Sequence, residues 1–77
     1  MRVEFDIHDM TELEAQKRLE KFIASCDKNV SEIRVIHGYH GGKALQSMVR
    51  DAKKLRSKKI YRRKLTMNQG ETILVLE

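Results

Sequence analysis

The sequence predicts an α/β fold: a two-layer sandwich in the order β-α-β-α-β-β, with a four-stranded mixed sheet and two helices on one face. Three observations carry that expectation. Residues 2–8 alternate strictly, Val3, Phe5 and Ile7 on one side and Glu4, Asp6 and His8 on the other, which is the pattern of a half-buried strand. Two later stretches repeat apolar residues at helical spacing and are interleaved with short aliphatic runs. Near the C-terminal end, two further strand-like runs flank Asn68-Gln69-Gly70, a turn signal for an antiparallel hairpin.

Each element has a local reason. Thr11-Glu12-Leu13-Glu14 reads as a capping box that opens a helix, with the Thr11 hydroxyl and the Glu14 carboxylate closing its N-terminus reciprocally. Ala15, Leu19, Phe22, Ile23 and Cys26 follow on one face, and Lys17, Arg18, Glu20 and Lys21 on the other, with an end near Asp27 to Asn29. Ile33 to Ile36 is a short β-branched strand. It runs into His37-Gly38-Tyr39-His40-Gly41-Gly42, a loop through which no apolar period continues. Ala44, Leu45, Met48, Val49, Ala52 and Leu55 mark the second helix, and Lys59–Leu65 and Glu71–Glu77 the last two strands. Strands alternating with helices favour parallel pairing through right-handed crossovers. Two helices cannot cover both faces of so short a sheet, so one face stays open, and Asp6 and His8 point to it.

Composition sets the limits. Seventy-seven residues make a single domain, 1–77, and 40% hydrophobic content supplies one core while excluding a disordered chain. With no Trp and only four aromatic residues, that core is aliphatic. Cys26 is the only cysteine, which excludes an internal disulfide and a cysteine-built metal cage; its neighbours Phe22, Ile23 and Ala24 suggest a small buried hydrophobe. No apolar run approaches the roughly 20 residues that span a bilayer, and no leader opens the chain. A monomeric cytoplasmic protein without a membrane partner is expected.

Charge is unevenly placed. Residues 1–42 carry six Lys/Arg against eight Asp/Glu, whereas residues 43–64 carry ten Lys/Arg against Asp51 alone, a local net of +9. Lys53, Lys54, Arg56, Lys58, Lys59, Arg62, Arg63 and Lys64 form a block with no carboxylate among them, for which a polyanion is the commonest partner. Each lysine alone would read as a solubility residue. If about five of these cations contacted phosphates, the log–log salt slope for duplex DNA would be near −4.

Three motifs together resemble the small MutS-related (Smr) domain family. Phe5-Asp6-Ile7-His8 before Met10-Thr11 is similar to its leading motif. Ile36-His37-Gly38-Tyr39-His40-Gly41-Gly42-Lys43-Ala44-Leu45 resembles its second signature, and Gly70-Glu71-Thr72-Ile73-Leu74-Val75-Leu76 its closing strand. The resemblance covers essentially the whole chain. It implies a sandwich similar to the C-terminal domain of bacterial translation initiation factor three, and activity on nucleic acid, because members include endonucleases that nick DNA or cleave RNA. The chain departs from the pattern at Asp9, where the family usually has Gly, and at His40, where a second loop glycine would stand, with one extra residue before Ala44.

On this basis Asp6, His8 and His37 are the candidate catalytic residues. A carboxylate beside an imidazole fixes its tautomer and raises its basicity, which suits proton transfer at a phosphodiester. The bland alternatives are a strand-end carboxylate with a solvated histidine, and a histidine that caps loop backbone. Gly38, His40, Gly41, Gly42 and Lys43 are the candidate phosphate-binding residues, since glycines permit close approach and a helix N-terminus attracts anions; an ordinary glycine-rich turn would look the same. Tyr39 and the eight cations are the candidate nucleic-acid contacts, Tyr39 either stacking on a base or packing locally. No cofactor is expected, with a divalent metal on the two histidines and Asp6 as second choice. The expected function is an endonuclease of structured DNA or RNA working by histidine acid/base chemistry, and the alternative is a binding module for ribosomal RNA or branched DNA.

Overall fold

A computed structural model of the chain describes residues 1–39 and 43–77. The elements are β1 (Arg2–Asp6), α1 (Glu12–Ser25), β2 (Glu32–Ile36), α2 (Ala44–Arg50), β3 (Ile60–Leu65) and β4 (Glu71–Leu76). They assemble in the strand order β1-β2-β4-β3, with β1 parallel to β2, and β4 antiparallel to both β2 and β3. The predicted order, the mixed sheet and the terminal hairpin are all present. The parallel pair follows from α1, whose crossover returns the chain in the same direction.

Register separates the two faces. Val3 and Phe5 of β1 lie opposite Ile33 and Val35 of β2, which lie opposite Leu74 and Thr72 of β4. This is the helix side. Ile33, Val35 and Leu74 join Ala15, Leu19 and Ile23 of α1 and Met48 and Val49 of α2 in one buried cluster, closed by Ile7 and Leu55. Phe5 and Phe22 stack at its margin, ring centroids 4.5 Å apart. The core is aliphatic, as expected.

The opposite face carries two rows of alternating charge. Glu32 takes Arg2 on one side and Lys64 on the other, both at 2.8 Å, and Arg34 bridges Glu4 and Glu71. Ile73 is buried on this face between its cross-strand neighbours Arg34 and Lys64, whose aliphatic stems suit that position. Lys64, then Arg2, hold the Glu32 carboxyl below the usual range, and Arg34 does the same for Glu71.

Several boundaries differ from the sequence expectation. The first strand stops at Asp6, because the backbone turns at Ile7 to Met10, with the Met10 N–H donating to the Ile7 carbonyl. Thr11 caps α1 by accepting from the Glu14 N–H at 3.2 Å, but the reciprocal half of the box is not made: the Glu14 carboxylate turns to Arg18 instead. The second helix ends at Arg50 rather than reaching Leu55. Asp51 explains this, since its carboxylate accepts from the Lys53 N–H at 2.8 Å and starts a turn in place of another helical step. Leu55 still enters the core from that turn.

Two cations of the basic segment complete the helices. The Lys59 ammonium donates to the carbonyls of Ile23, Ala24 and Cys26 at the end of α1, a helix with no basic residue in its own last turn. The Arg63 guanidinium donates to the carbonyl of Val49 in the last turn of α2 and to that of Leu55 in the turn beyond it, each at 2.7 Å. Both satisfy orphan carbonyls and oppose the negative end of a helix dipole. Replacing Arg63 with Leu removes two charge-assisted bonds and is expected to cost about 2 kcal/mol. Arg62→Leu, one residue away and exposed, should stay within about 0.5 kcal/mol. Urea unfolding of the two variants measures the difference.

Candidate functional site

The parallel strands β1 and β2 end side by side, and the segments leaving them frame an open cleft of about 520 Å³. His8 to Glu12 line one side, His37 to Tyr39 another, and Ala44 and Leu45 of α2 the third. Both candidate catalytic histidines therefore reach one cleft. They reach it in different ways.

His8 sits in the turn after β1. The Asp6 Oδ1 accepts both from the His8 backbone N–H at 3.0 Å and from its ring Nδ1 at 2.5 Å. The first bond is a local turn that a carboxylate two residues upstream makes readily; the second fixes the ring. On the other ring edge, Nε2 lies 3.0 Å from the Asp9 carboxylate. Hydrogen bonding to Asp6, and then the charges of Asp6 and Asp9, raise the His8 pKa above its ordinary value. The Asp6 carboxyl is lowered, first by the backbone N–H of His8 and then by its ring. About half of each side chain is exposed.

His37 is buried. Its backbone N–H and that of Gly38 both donate to the Gly70 carbonyl, at 3.0 and 2.9 Å. Its Nδ1 lies 2.8 Å from the Gly38 carbonyl and its Nε2 lies 2.9 Å from the Thr72 hydroxyl. The same hydroxyl accepts from Arg50 Nε at 2.9 Å. Because a guanidinium only donates, the hydroxyl proton is free to go to His37 Nε2, which leaves Nδ1 to donate to Gly38. Burial, as the largest cause, pushes the His37 pKa down. The ring is neutral, of defined tautomer, and committed at both nitrogens.

Glycine is required where these segments meet. Gly38 adopts φ +70°, a left-handed conformation that a side chain strains, and a Cβ there would lie 3.6 Å from the His8 Cβ. A Cβ on Gly70 would come within 3.4 Å of the Gly38 Cα. The loop before β4 thus packs backbone to backbone against the loop after β2.

The remaining predicted residues divide. Tyr39 lines the cleft and is 46% exposed. Lys43 is exposed at the N-cap of the seven-residue α2. His40, Gly41 and Gly42 lie outside the described residues. None of the eight block cations lines the cleft; Lys54 lies 4.0 Å from the rim residue Glu12. The fold also compensates much of the block from distant segments: Lys64 meets Glu32, Lys59 and Arg63 meet helix carbonyls, and Arg56 Nε donates to the Lys53 carbonyl. Among the described residues, the side chains of Lys53, Lys58 and Arg62 have no hydrogen bond or ion pair. Also among them, no group of three or more His, Cys, Asp or Glu is placed to hold a metal, and no helix is long and apolar enough to cross a membrane.

Sequence reasoning missed Thr72, Arg50 and the contact of Asp9 with His8. Arg50 and Asp9 were visible as charged residues near the motifs, but nothing local marks Thr72, which meets His37 from 35 residues away.

Fold and site together define a small α/β module with a histidine-lined cleft at the carboxyl ends of its parallel strands. The chain belongs to the Smr domain family, whose family model matches residues 5–74. Its fold is similar to the crystal structure of the Smr domain of Thermus thermophilus MutS2, with a TM-score of 0.82 and 24% identity over 96% of each chain. No curated protein gives a significant match. Smr domains are associated with nucleic-acid binding and nuclease function.

The different settings of the histidines have a measurable consequence. His37 has a folded pKa below its unfolded one, so its neutral form adds stability above the unfolded value of about 6.5. That stability is lost as pH falls through the depressed folded pKa. His8 acts in the opposite sense, but it is exposed and screened. Melting temperature is expected to fall as pH drops below about 6.5, and His37→Asn should flatten that limb while His8→Ala leaves it in place. His37→Ala should cost about 1–3 kcal/mol by stripping a buried bond from Thr72.

Proposed function

We propose that this Smr domain is an endonuclease of structured nucleic acid in which His8 moves the proton, Asp6 orients it, and His37 positions the loop that faces it. The observation that carries the reading is His8 on the wall of an open cleft, with the Asp6 carboxylate on its Nδ1. A carboxylate bound to Nδ1 keeps the ring protonated toward neutral pH and directs Nε2 outward, which suits protonation of a departing 5′ oxygen. In RNA the neighbouring 2′-hydroxyl is the tethered nucleophile, and in DNA water serves; in either case the nucleophile's proton leaves to solvent. A phosphate-binding role for Gly38 and Lys43, together with His40, Gly41 and Gly42, belongs to the same proposal, as does a strand-positioning role for the free cations of the basic segment. A divalent metal is the second choice for the chemistry, and it would have to be held without His37, whose ring nitrogens are both committed.

One observation favours a binding module without chemistry. The Asp9 carboxylate stands on His8 Nε2, the atom a substrate phosphate would use. Asp9 is 88% exposed at its side chain, so an incoming phosphate has room to displace it.

Cleavage of labelled RNA and branched DNA by pure wild type, His8→Ala and Asp6→Asn, with and without EDTA, tests the proposal. Wild type is expected to yield product, and His8→Ala to lose about 10²–10⁴-fold in rate. Because His8 is the acid, the rate should fall as pH rises through its raised pKa. Asp6→Asn should move that fall down toward about pH 6.5. EDTA decides between the metal-free and metal-assisted routes. Salt-sensitive binding by wild type with no product under any condition would establish the binding module.

A further inference from the structure

Tyr61 is the only aromatic residue within the basic segment 43–64. It lies on β3, an outer strand of the sheet, and is 67% exposed. Register explains its position. From Ile60 to Arg62 the chain advances two residues on β3, while β4 advances one, from Leu76 to Val75. Tyr61 is the extra residue of a bulge, so no residue on β4 is its partner. The cations around it in sequence divide into two groups. Lys59, Arg63 and Lys64 are committed to helix carbonyls or to Glu32, whereas Lys58 and Arg62 are exposed and have no bonded partner among the described residues.

We propose that the start of β3 is a single-strand docking strip, with Tyr61 stacking on an unpaired base and Lys58 and Arg62 meeting the flanking phosphates. This inference rests on the nucleic-acid reading above and names the form of substrate that reading leaves open. An exposed ring between two uncommitted cations matches a base flanked by phosphates. It discriminates by strandedness, because duplex bases keep their faces stacked on one another and offer a phenol ring nothing to cover. The strip is separate from the cleft, whose wall contains none of these residues. It lies at the far end of the sheet from His8, since Arg62 is level with Val75, Glu32 and Arg2 at the start of β1, and so gives a substrate a second, distant point of attachment. Sequence alone gave a usable signal, an aromatic residue inside a run of cations, and the bulge supplies the exposure.

The test is titration of the full chain with a fluorescein-labelled single-stranded RNA, the same sequence in DNA, and the corresponding duplexes. Wild type is expected to prefer the single strands, and binding should quench intrinsic tyrosine fluorescence, which is readable because the chain has no Trp. Tyr61→Phe should keep the affinity and lose most of the quench. Tyr61→Ala and Tyr61→Leu should bind single strands about tenfold more weakly and duplexes unchanged. Tyr61→Leu keeps bulk on the strand, and circular dichroism of each variant confirms the fold, so a loss is read as loss of the ring. Equal RNA and DNA affinities would support base stacking without a 2′-hydroxyl contact, and a preference for RNA would add that contact. Duplex binding equal to single-strand binding, untouched by Tyr61→Ala, would overturn this inference while leaving the nucleic-acid reading intact. Failure of wild type to bind any of the four would overturn both. A concentration-dependent dimer abolished by Tyr61→Lys would overturn it by assigning the strand edge to a second copy of the chain.

Discussion

The buried hydroxyl of Thr72 is where three parts of the molecule are tied together. It belongs to β4, accepts a hydrogen bond from Arg50 of α2, and is positioned to donate one to His37 at the end of β2. Without that exchange, His37 would have a buried nitrogen without a partner, at a cost of about 1–3 kcal/mol. On the other side of the ring, Nδ1 donates to the Gly38 carbonyl, an acceptor that requires the same tautomer. Gly38 in turn lies against His8. The cleft is thus shaped from behind by a hydrogen-bonded chain running from the Arg50 cation of the helix, through the sheet, to a neutral histidine at the loop. The group facing solvent, His8, is not a link in that chain.

Charge in this sequence is spent unevenly between structure and surface. A surface ion pair contributes about 0–1 kcal/mol, so the two rows across the open sheet face add little singly. Their geometric effect is larger: Arg34 and Lys64 flank Ile73 and keep an apolar residue dry on a face that no helix covers. Lys59 and Arg63 do more, because the helices they finish need them. Seven residues are too few for a helix to persist alone in water, so α2 depends on its buried side chains and on Arg63 at the Val49 carbonyl. A run of cations in sequence therefore overstates the positive field outside the fold, and the free cations, not the run, define the surface open to a polyanion.

What was legible in the sequence was what is local. Alternation in residues 2–8, the Thr11 cap and the Asn68-Gly70 turn each report on a few consecutive residues, and these gave the element order and the mixed sheet. The end of α2 was misread because Ala52 and Leu55 continue the apolar period, while one Asp51 side chain diverts the backbone. The strand end at Asp6 was misread for a similar reason: Ile7 keeps the alternation and is buried, though the chain has already begun to turn. In the site, Asp6 and His8 were readable because they are two residues apart. The setting of His37 was not, since burial, Thr72, Arg50 and Gly70 all come from segments between 13 and 35 residues away in sequence. Periodicity carries no information about which distant hydroxyl meets which ring.

Asp9 is where local sequence and local electrostatics bear most directly on the proposed chemistry. A glycine at that position, as the family usually has, would leave His8 Nε2 to solvent. Here the ring stands between two carboxylates, Asp6 on Nδ1 and Asp9 on Nε2. Both favour the charged ring, but only Asp6 supports a proton donor in action, because a donor must present its proton outward. Asp9 competes for the same proton as the substrate. The competition is weak in water, where an exposed carboxylate at 3.0 Å is well screened, and a phosphodiester held by further contacts has the advantage over it. A substrate bound through one phosphate alone does not. On the proposed reading, Asp9 ties action at His8 to a substrate anchored at more than one point, which is the arrangement that a cleft and a separate strip on β3 provide.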